Sequence, residues 1–166
     1  HWDENLDGED QSTPWIDRSG ISILAHAVLQ NNLAIVKATL NVFESDLEHL
    51  LSWRYPVEGI VEIGIPGRAS YLITAMLMSR PEVVSILLEA GAHPYNTDVF
   101  GCDALMYACV TGRLDNVKLW FRKYPKCEVN RRYTAGFAKS GLWCSLAVNS
   151  GTNALNHAAA RGDIEL

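Results

Sequence analysis

The acidic start of the chain contains the nearest approach to a metal-binding motif. From Asp3 onward it places Asp, Asn, Asp and Gly at the spacing of the first half of a calcium-binding loop. Such a loop ends with a bidentate glutamate at its twelfth position, which is occupied here by Pro14. Residues 1–16 carry several acids and no base, so they predict a flexible acidic lead-in, and neither a metal nor another cofactor is expected.

A thiol and an imidazole are the other groups whose types suggest chemistry. Cys144 and His157 would suit a nucleophile and its base, but nothing in the sequence orients the ring as a base. The pattern favours a buried cysteine and a histidine on a helix surface. The four cysteines lack C-x-x-C spacing, which indicates free thiols rather than a zinc site or a disulfide framework. Phosphate loops, nucleophile elbows and H-E-x-x-H motifs are absent, so no enzymatic activity is expected.

Composition and charge exclude other classes of protein. The chain has 166 residues, of which 48% are hydrophobic and 20% charged, as is typical of about one globular domain. Its longest apolar stretch, from Tyr71 to Met78, is too short to span a bilayer. The net charge of −5 argues against a nucleic-acid-binding domain, and the seven bases between residues 118 and 139 are interpreted as a solvated face.

A sequence pattern recurs along the chain with a period of 33 residues, and its copies are the segments that would position a functional site. Leu72 and Leu105 are 33 residues apart, as are Ala75 and Ala108. The same template occurs upstream and downstream of this pair, which makes four copies with insertions after the first and the third. A period of this length is typical of solenoid proteins, in which each repeat packs only on its neighbours.

Each copy has the signals of two short antiparallel helices. The first helix opens at a good N-cap residue and carries a leucine and an alanine on one face. The predicted N-cap residues are Ser22, Ser70, Asp103 and Asn153. The predicted stops, of which the serine suits a left-handed helix end least well, are Asn31, Ser79, Gly112 and Gly162. A second helix follows with apolar residues at helical spacing, and Pro81 suits the first turn of one of them.

Three segments carry a resemblance to the ankyrin-repeat family. Residues 98–108 are similar to the family's D-x-x-G-x-T-P-L-H-x-A opening, residues 112–119 to its G-H-x-E-V-V-x-L, and residues 82–93 to its E-V-V-x-L-L-L-x-x-G-A-D. No copy has the full T-P-L-H tetrad, and Arg68 stands where the second copy should have its loop glycine. The resemblance implies an all-α, ankyrin-like helical solenoid of about four helix pairs with hairpin-like finger loops, the last repeat being truncated.

The predicted boundaries divide the chain into consecutive segments. They are an acidic lead-in (1–16), repeat 1 (17–43), an insertion (44–64), repeat 2 (65–97), repeat 3 (98–132), a second insertion (133–147) and an incomplete repeat 4 (148–166). Because repeat 4 ends before its second helix, Leu155 and Ala158 are expected to be partly uncovered. The chain is therefore predicted to be a piece of a longer protein.

The first insertion is predicted to hold one extra short helix. A capping-box pattern at Ser45 precedes this helix, which is expected to run from Asp46 to Trp53. The alternation of isoleucines between Ile60 and Ile65 then indicates weakly extended structure. Long insertions in repeat proteins often lie on the binding face.

Stacked repeats present their loop tips and the exposed side of their first helices as one concave surface. By the resemblance, the tips lie near residues 18–19, 99–100 and 149–150, and Met106 is expected to face the groove. Phe100 either anchors a partner or packs against the neighbouring tip, and the sequence leaves both open. A basic contact to nucleic acid or lipid around Arg131 is a further alternative, which would extend to Lys139. The candidate partner-binding residues are Arg18, Ser19, Val99, Phe100, Met106, Arg131 and Arg132.

Three further side chains are given structural roles. Trp120 is at a core position by its spacing, and Tyr107 is expected to face a neighbouring repeat. By the resemblance, His93 stands at the family's loop aspartate position and is expected to make hydrogen bonds within a turn.

The sequence and the resemblance together predict a protein–protein interaction module of the adaptor or scaffold kind, without catalysis of its own. The alternative is a regulatory segment that controls an enzyme or channel domain elsewhere in the same longer chain. In both cases the expected partner is a protein and not a nucleic acid. The segment is expected to be monomeric, and its expected location is intracellular and cytoplasmic.

Overall fold

The computed structural model shows an all-helical chain and describes residues 16–17, 19–132 and 153–162. Arg18, the lead-in before residue 16 and the predicted second insertion lie outside the described residues. Within the described ranges there are two isolated β-bridges and no β-strand. The α-helices there are α1 (Ile23–Leu29), α2 (Leu33–Val42), α3 (Leu47–Ser52), α4 (Tyr71–Met78), α5 (Pro81–Glu89), α6 (Ala104–Thr111), α7 (Leu114–Lys123) and α8 (Ala154–Arg161).

The starts of α1, α4, α6 and α8 confirm the predicted N-cap residues. In each case the side-chain oxygen of the N-cap residue accepts a hydrogen bond from an amide in the first turn. In α1 this bond runs from the Ala25 amide to Ser22 Oγ over 3.1 Å. A helix start leaves its first amides without partners inside the helix, so each cap satisfies one of them and fixes where the helix begins.

The ends of the first helices differ in the way the sequence predicts. Gly112, Gly162 and Asn31 have φ of 65°, 73° and 54°, in the left-handed region. Ser79 has extended backbone instead, and its hydroxyl donates a hydrogen bond to the carbonyl oxygen of Val28 at 2.8 Å. The serine therefore ends α4 by bonding to α1 rather than by turning left-handed.

The helices form two layers. The first helices α1, α4, α6 and α8 lie side by side in chain order, and the second helices α2, α5 and α7 form the other layer. Each of these second helices packs on the first helix that precedes it. The core is therefore a strip shared between neighbours, and Trp120 lies buried in it, as predicted. The arrangement confirms an ankyrin-like helical solenoid.

Polar contacts fix neighbouring helix pairs to one another. The side-chain amide of Asn116 in α7 donates a hydrogen bond to the carbonyl oxygen of Ser79 at 3.0 Å. The Arg80 amide donates to Asn31 Oδ1 at 2.7 Å. Asn116 is buried, and leaving a buried polar group without a partner costs roughly 1–3 kcal/mol. Such bonds favour one relative position of the repeats.

The first insertion folds into a short helix and a loop. Helix α3 confirms the predicted extra helix, but the predicted capping box is wrong, because a 3₁₀ turn precedes α3 and its N-cap residue Asp46 makes no side-chain cap bond. After α3, Trp53 stacks on Tyr71 with ring centroids 5.0 Å apart. The expectation of extended structure between Ile60 and Ile65 is wrong, because a 3₁₀ turn at Val61–Ile63 lies between these two residues, which are joined by an isolated bridge.

The last described helix has one strongly exposed apolar side chain. Leu155 is 57% exposed, as predicted. The same expectation for Ala158 is wrong, because α8 packs on α6 and this alanine is buried.

Candidate interaction surface

The first finger loop begins at Asp17, whose carboxylate organises the turn. Its Oδ1 accepts hydrogen bonds from the amides of Ser19 and Ile21 at 2.8 and 3.0 Å, and its Oδ2 lies 2.7 Å from Nε2 of His26 in α1. Burial alone would raise the pKa of Asp17, but hydrogen bonds from Ser19, His26 and the backbone outweigh it and leave the pKa well below its usual value. The carboxylate is therefore ionised and holds Ser19 at an exposed tip.

The third finger loop repeats this arrangement in a buried place. Asp98 Oδ1 accepts hydrogen bonds from the amides of Phe100 and Cys102, both at 2.9 Å. Its Oδ2 accepts a hydrogen bond from the Tyr107 hydroxyl at 2.5 Å. Burial raises the pKa of Asp98 above its usual value, although these bonds act in the opposite direction. The expectation that Tyr107 faces a neighbouring repeat is wrong for its hydroxyl, which bonds within its own repeat.

The second finger loop has no aspartate and is held by the first insertion. Arg68 has a φ of 57° at the position where the other fingers have glycine. A Cβ on Gly67 would lie 1.7 Å from the carbonyl oxygen of Val57, so this close approach requires glycine. The carbonyl oxygen of Gly67 accepts a hydrogen bond from the Val99 amide at 3.0 Å. The insertion, the second finger and the third finger are thus in direct backbone contact.

The first finger adjoins the same insertion. Pro56 Cγ lies 3.4 Å from the position that a Cβ would take on Gly20. The three fingers and the loop between them therefore form one continuous surface, which we call the finger row and define as residues 17, 19–21, 56–68 and 98–102.

The predicted tip residues differ in how much they expose. Ser19 is exposed, whereas Val99 and Phe100 are half-buried. Phe100 packs against the hydrophobic core, which favours the packing alternative over an exposed anchor. The expectation that Met106 faces the groove is wrong: the side chain is 2% exposed, because α6 lies between α4 and α8 and also packs on α7.

The two predicted arginines also differ. The guanidinium carbon of Arg131 lies 5.5 Å from the ring centroid of Tyr95, and the side chain is half-buried. Burial raises the pKa of Asp103, and the charge of Arg131 offsets part of that rise. Arg132 is exposed. Arg131 therefore has contacts within the fold, whereas Arg132 faces solvent.

The described histidine and cysteine side chains that could do chemistry are buried or bonded within the fold. The expectation of a surface position for His157 is wrong, because it is buried, and burial lowers its pKa. Cys144 lies outside the described residues. Burial raises the pKa of Cys102 far above its usual value, and the described cysteines are free thiols. His93 Nδ1 accepts a hydrogen bond from the Tyr95 amide at 3.2 Å, which confirms the predicted turn bond.

Sequence reasoning missed the apolar residues that the finger row exposes. Val57 is 63% exposed and Ile63 is 43% exposed, both in the loop of the first insertion. The only signal in the sequence was the isoleucine alternation in that loop, which periodicity alone could not assign to a solvent-facing or a buried side.

The described residues contain neither a metal-binding cluster nor a helix that could cross a membrane. In this part of the chain, no cluster of histidine, cysteine and acidic side chains is suited to hold a metal ion. Nor does any helix there combine the length and the apolar character that crossing a bilayer requires.

Comparison with known proteins bears on the fold. No family model matches the chain, and no curated protein matches it. Among solved structures, the ankyrin repeat domain of Bcl-3, described as a unique member of the IkappaB protein family, is similar with a TM-score of 0.66. The two chains are 22% identical, and the match covers 89% of this chain and 54% of that chain. This chain thus spans about half the length of the solved one.

A likeness at this level of identity establishes the fold. The described helix pairs and finger loops are therefore those of an ankyrin-repeat fold, as the sequence motifs predicted.

Proposed function

We propose that this chain is a protein–protein interaction module that recognises its partner through the finger row and performs no catalysis of its own. The observation that carries the proposal is the backbone contact along the row, from the first insertion at Val57 through Gly67 to the amide of Val99. Solenoid repeats commonly bind partners on extended surfaces of this kind.

The finger row is held in place before any partner arrives. The carboxylates of Asp17 and Asp98 bond to amides of their own loops, and a helical side chain bonds to each of them. Because binding to an ordered surface loses little conformational entropy, such a surface can bind tightly through a small area.

The exposed residues of the row indicate the kind of partner segment. Val57 and Ile63 present apolar surface beside the polar tip at Ser19. Burial of an apolar side chain contributes about 1.5–3 kcal/mol, so a partner segment with apolar side chains would gain most from this part of the row.

The test uses peptides selected from a random library on the purified chain. Ile63→Asp should weaken binding of finger-row ligands at least tenfold, because it places a charge in the apolar contact. Ile35→Asp is the matched control: Ile35 is 39% exposed, close to the 43% of Ile63, but lies near the start of α2, at the opposite end of the helix pair from the finger. Binding would be measured by biolayer interferometry.

Two results would contradict the proposal. One is that no selected peptide distinguishes Ile63→Asp from the unchanged chain. The other is that Ile35→Asp weakens binding as much as Ile63→Asp does, which would place the ligand on another surface or reflect a loss of folding visible by circular dichroism.

A further inference from the structure

Exposed charge changes sign along the second-helix layer. Helix α5 exposes Glu82 and Glu89, and the segment after α2 exposes Glu44, Asp46 and Glu48. Helix α7 and the loop after it are instead rich in exposed bases. We call these bases the basic edge and define it as Lys118, Arg122, Lys123, Lys126 and Arg132.

A groove of about 920 Å³ adjoins the basic edge, between the start of α5 and the length of α7. Its lining residues are Arg80, Pro81, Glu82, Asp115, Lys118, Phe121 and Arg122. The two acids are each the second residue of a helix, where the positive end of the helix dipole compensates a negative charge. Pro81 and the half-buried ring of Phe121 add apolar surface to the groove.

Most side chains of the basic edge do not bond to other residues in the part of the chain that the structure describes. Four of its side chains make no hydrogen bond or ion pair with a described residue, those of Arg122, Lys123, Lys126 and Arg132.

Aromatic side chains lie beside the end of α7. The rings of Trp120 and Tyr124 are 5.1 Å apart, and Tyr95 lies 6.4 Å from each of them. Arg131 covers one face of Tyr95, which remains 37% exposed. Partly exposed tyrosines next to arginine are typical of interface positions that contribute most to binding.

We propose that the basic edge and its groove bind an acidic segment of a protein partner, at a site separate from the finger row. The charge of the surface favours carboxylates, and Pro81 and Phe121 in the groove offer apolar contact to a side chain between them. The groove is lined by ten-residue helix α7, about 15 Å long, which matches a short peptide rather than a long polymer.

The rest of the chain disfavours a nucleic acid in this place. The net charge of the protein is −5, so a long polyanion is repelled by the chain outside the basic edge. Glu82, Asp115 and Glu128 also interrupt the bases, whereas a short peptide can place its carboxylates between them.

The test uses the fluorescein-labelled peptide Glu-Glu-Phe-Glu-Glu-Phe-Glu-Glu. Its counterpart has every glutamate replaced by glutamine and keeps both phenylalanines. The double variant Arg122→Glu/Lys126→Glu should weaken binding of the acidic peptide roughly tenfold, and the glutamine peptide should bind far more weakly to the unchanged chain. Binding should also fall as salt concentration rises, because these charges are exposed. Fluorescence anisotropy measures all three effects.

Lys37→Glu is the matched control for the single variant Arg122→Glu. Each changes the net charge by the same amount at one exposed base, but Lys37 lies on α2, outside the basic edge and the finger row, so Lys37→Glu should bind the peptide with nearly unchanged affinity while Arg122→Glu weakens binding. Equal losses in these two single variants would overturn the proposal, since they would show a general charge effect. Tighter binding of a single-stranded oligonucleotide, or of phosphatidylserine vesicles, would overturn it in favour of a different ligand. Ile63→Asp, which disrupts the finger row, should leave peptide binding unchanged, so the two proposed sites fail separately.

Discussion

The first and third fingers carry the same Asp-x-x-Gly motif and use it in opposite electrostatic settings. Asp17 is bonded to His26 at the edge of the array, and 27% of its side chain is exposed. Asp98 is bonded to Tyr107 inside the array, where both residues are buried. The pKa of Asp17 is lowered, whereas burial raises the pKa of Asp98. The shared motif therefore gives both turns the same shape. The residues around each carboxylate determine how much it contributes to the free energy of unfolding.

The partner of each aspartate stands nine residues after it, at the equivalent position of the first helix. Histidine and tyrosine both reach back to the finger, but only histidine can supply a positive charge. At the edge, solvent and the imidazole support the ionised carboxylate. Inside the array, the Asp98 carboxylate accepts hydrogen bonds from the amides of Phe100 and Cys102 and from the Tyr107 hydroxyl, all of which are neutral donors.

The largest expected effect comes from removing the buried carboxylate. Asp98→Ala leaves the amides of Phe100 and Cys102 and the Tyr107 hydroxyl without their acceptor, which should cost about 3 kcal/mol of unfolding free energy. Asp17→Ala is the matched variant and should cost less, about 1 kcal/mol, because water can reach a partly exposed acceptor and replace it in part. Urea unfolding followed by tryptophan fluorescence measures both. Equal losses would show that burial does not distinguish the two fingers.

The second prediction concerns pH. The contributions of the two aspartates to the free energy of unfolding should change with pH in opposite directions. Asp17 has a lowered pKa, so its contribution is present above its unfolded pKa near 3.8 and is lost as pH falls below it. Asp98 has a raised pKa, so its contribution is present below 3.8 and is lost as pH rises through the folded value.

Asparagine variants reveal these opposite slopes. The unfolding free energy of Asp98→Asn relative to the unchanged chain should rise between pH 3.8 and neutrality, since the amide avoids a buried charge. For Asp17→Asn the advantage of the unchanged chain should shrink as pH falls below 3.8. Urea unfolding at several pH values gives both slopes, and slopes of the same sign would refute the comparison.

The sequence predicted where the first helices begin better than it predicted which of their side chains are buried. The caps at Ser22 and Asp103 are local features, because the side chain bonds to an amide three residues further along. Met106 was misplaced because α6 packs on α4, α7 and α8, so a residue on any of its sides can be buried. The apolar pattern of one helix does not show how many other helices pack around it.

The same limit applies to the candidate surface. The contact of Gly67 with Val57 joins a finger to an insertion that matches no repeat pattern, so the motif could not predict it. The opposite pKa directions of Asp17 and Asp98 depend on burial by neighbouring repeats, which an identical local motif does not encode.

The smallest predicted effect extends the comparison to the second finger, which has no aspartate. Arg68 holds a φ of 57°, a conformation that costs a residue with a Cβ about 1–2 kcal/mol, while glycine adopts it freely. Arg68→Gly should therefore stabilise the chain, but by only about 0.5 kcal/mol, because glycine also gains conformational entropy in the unfolded state. Arg68→Ala is the control and should give no gain, since alanine keeps the left-handed penalty without the arginine side chain. If urea unfolding shows equal gains for both variants, the arginine side chain and not its backbone is the source of strain. If neither gains, the insertion already offsets the left-handed turn, and the second finger needs neither glycine nor aspartate to keep its shape.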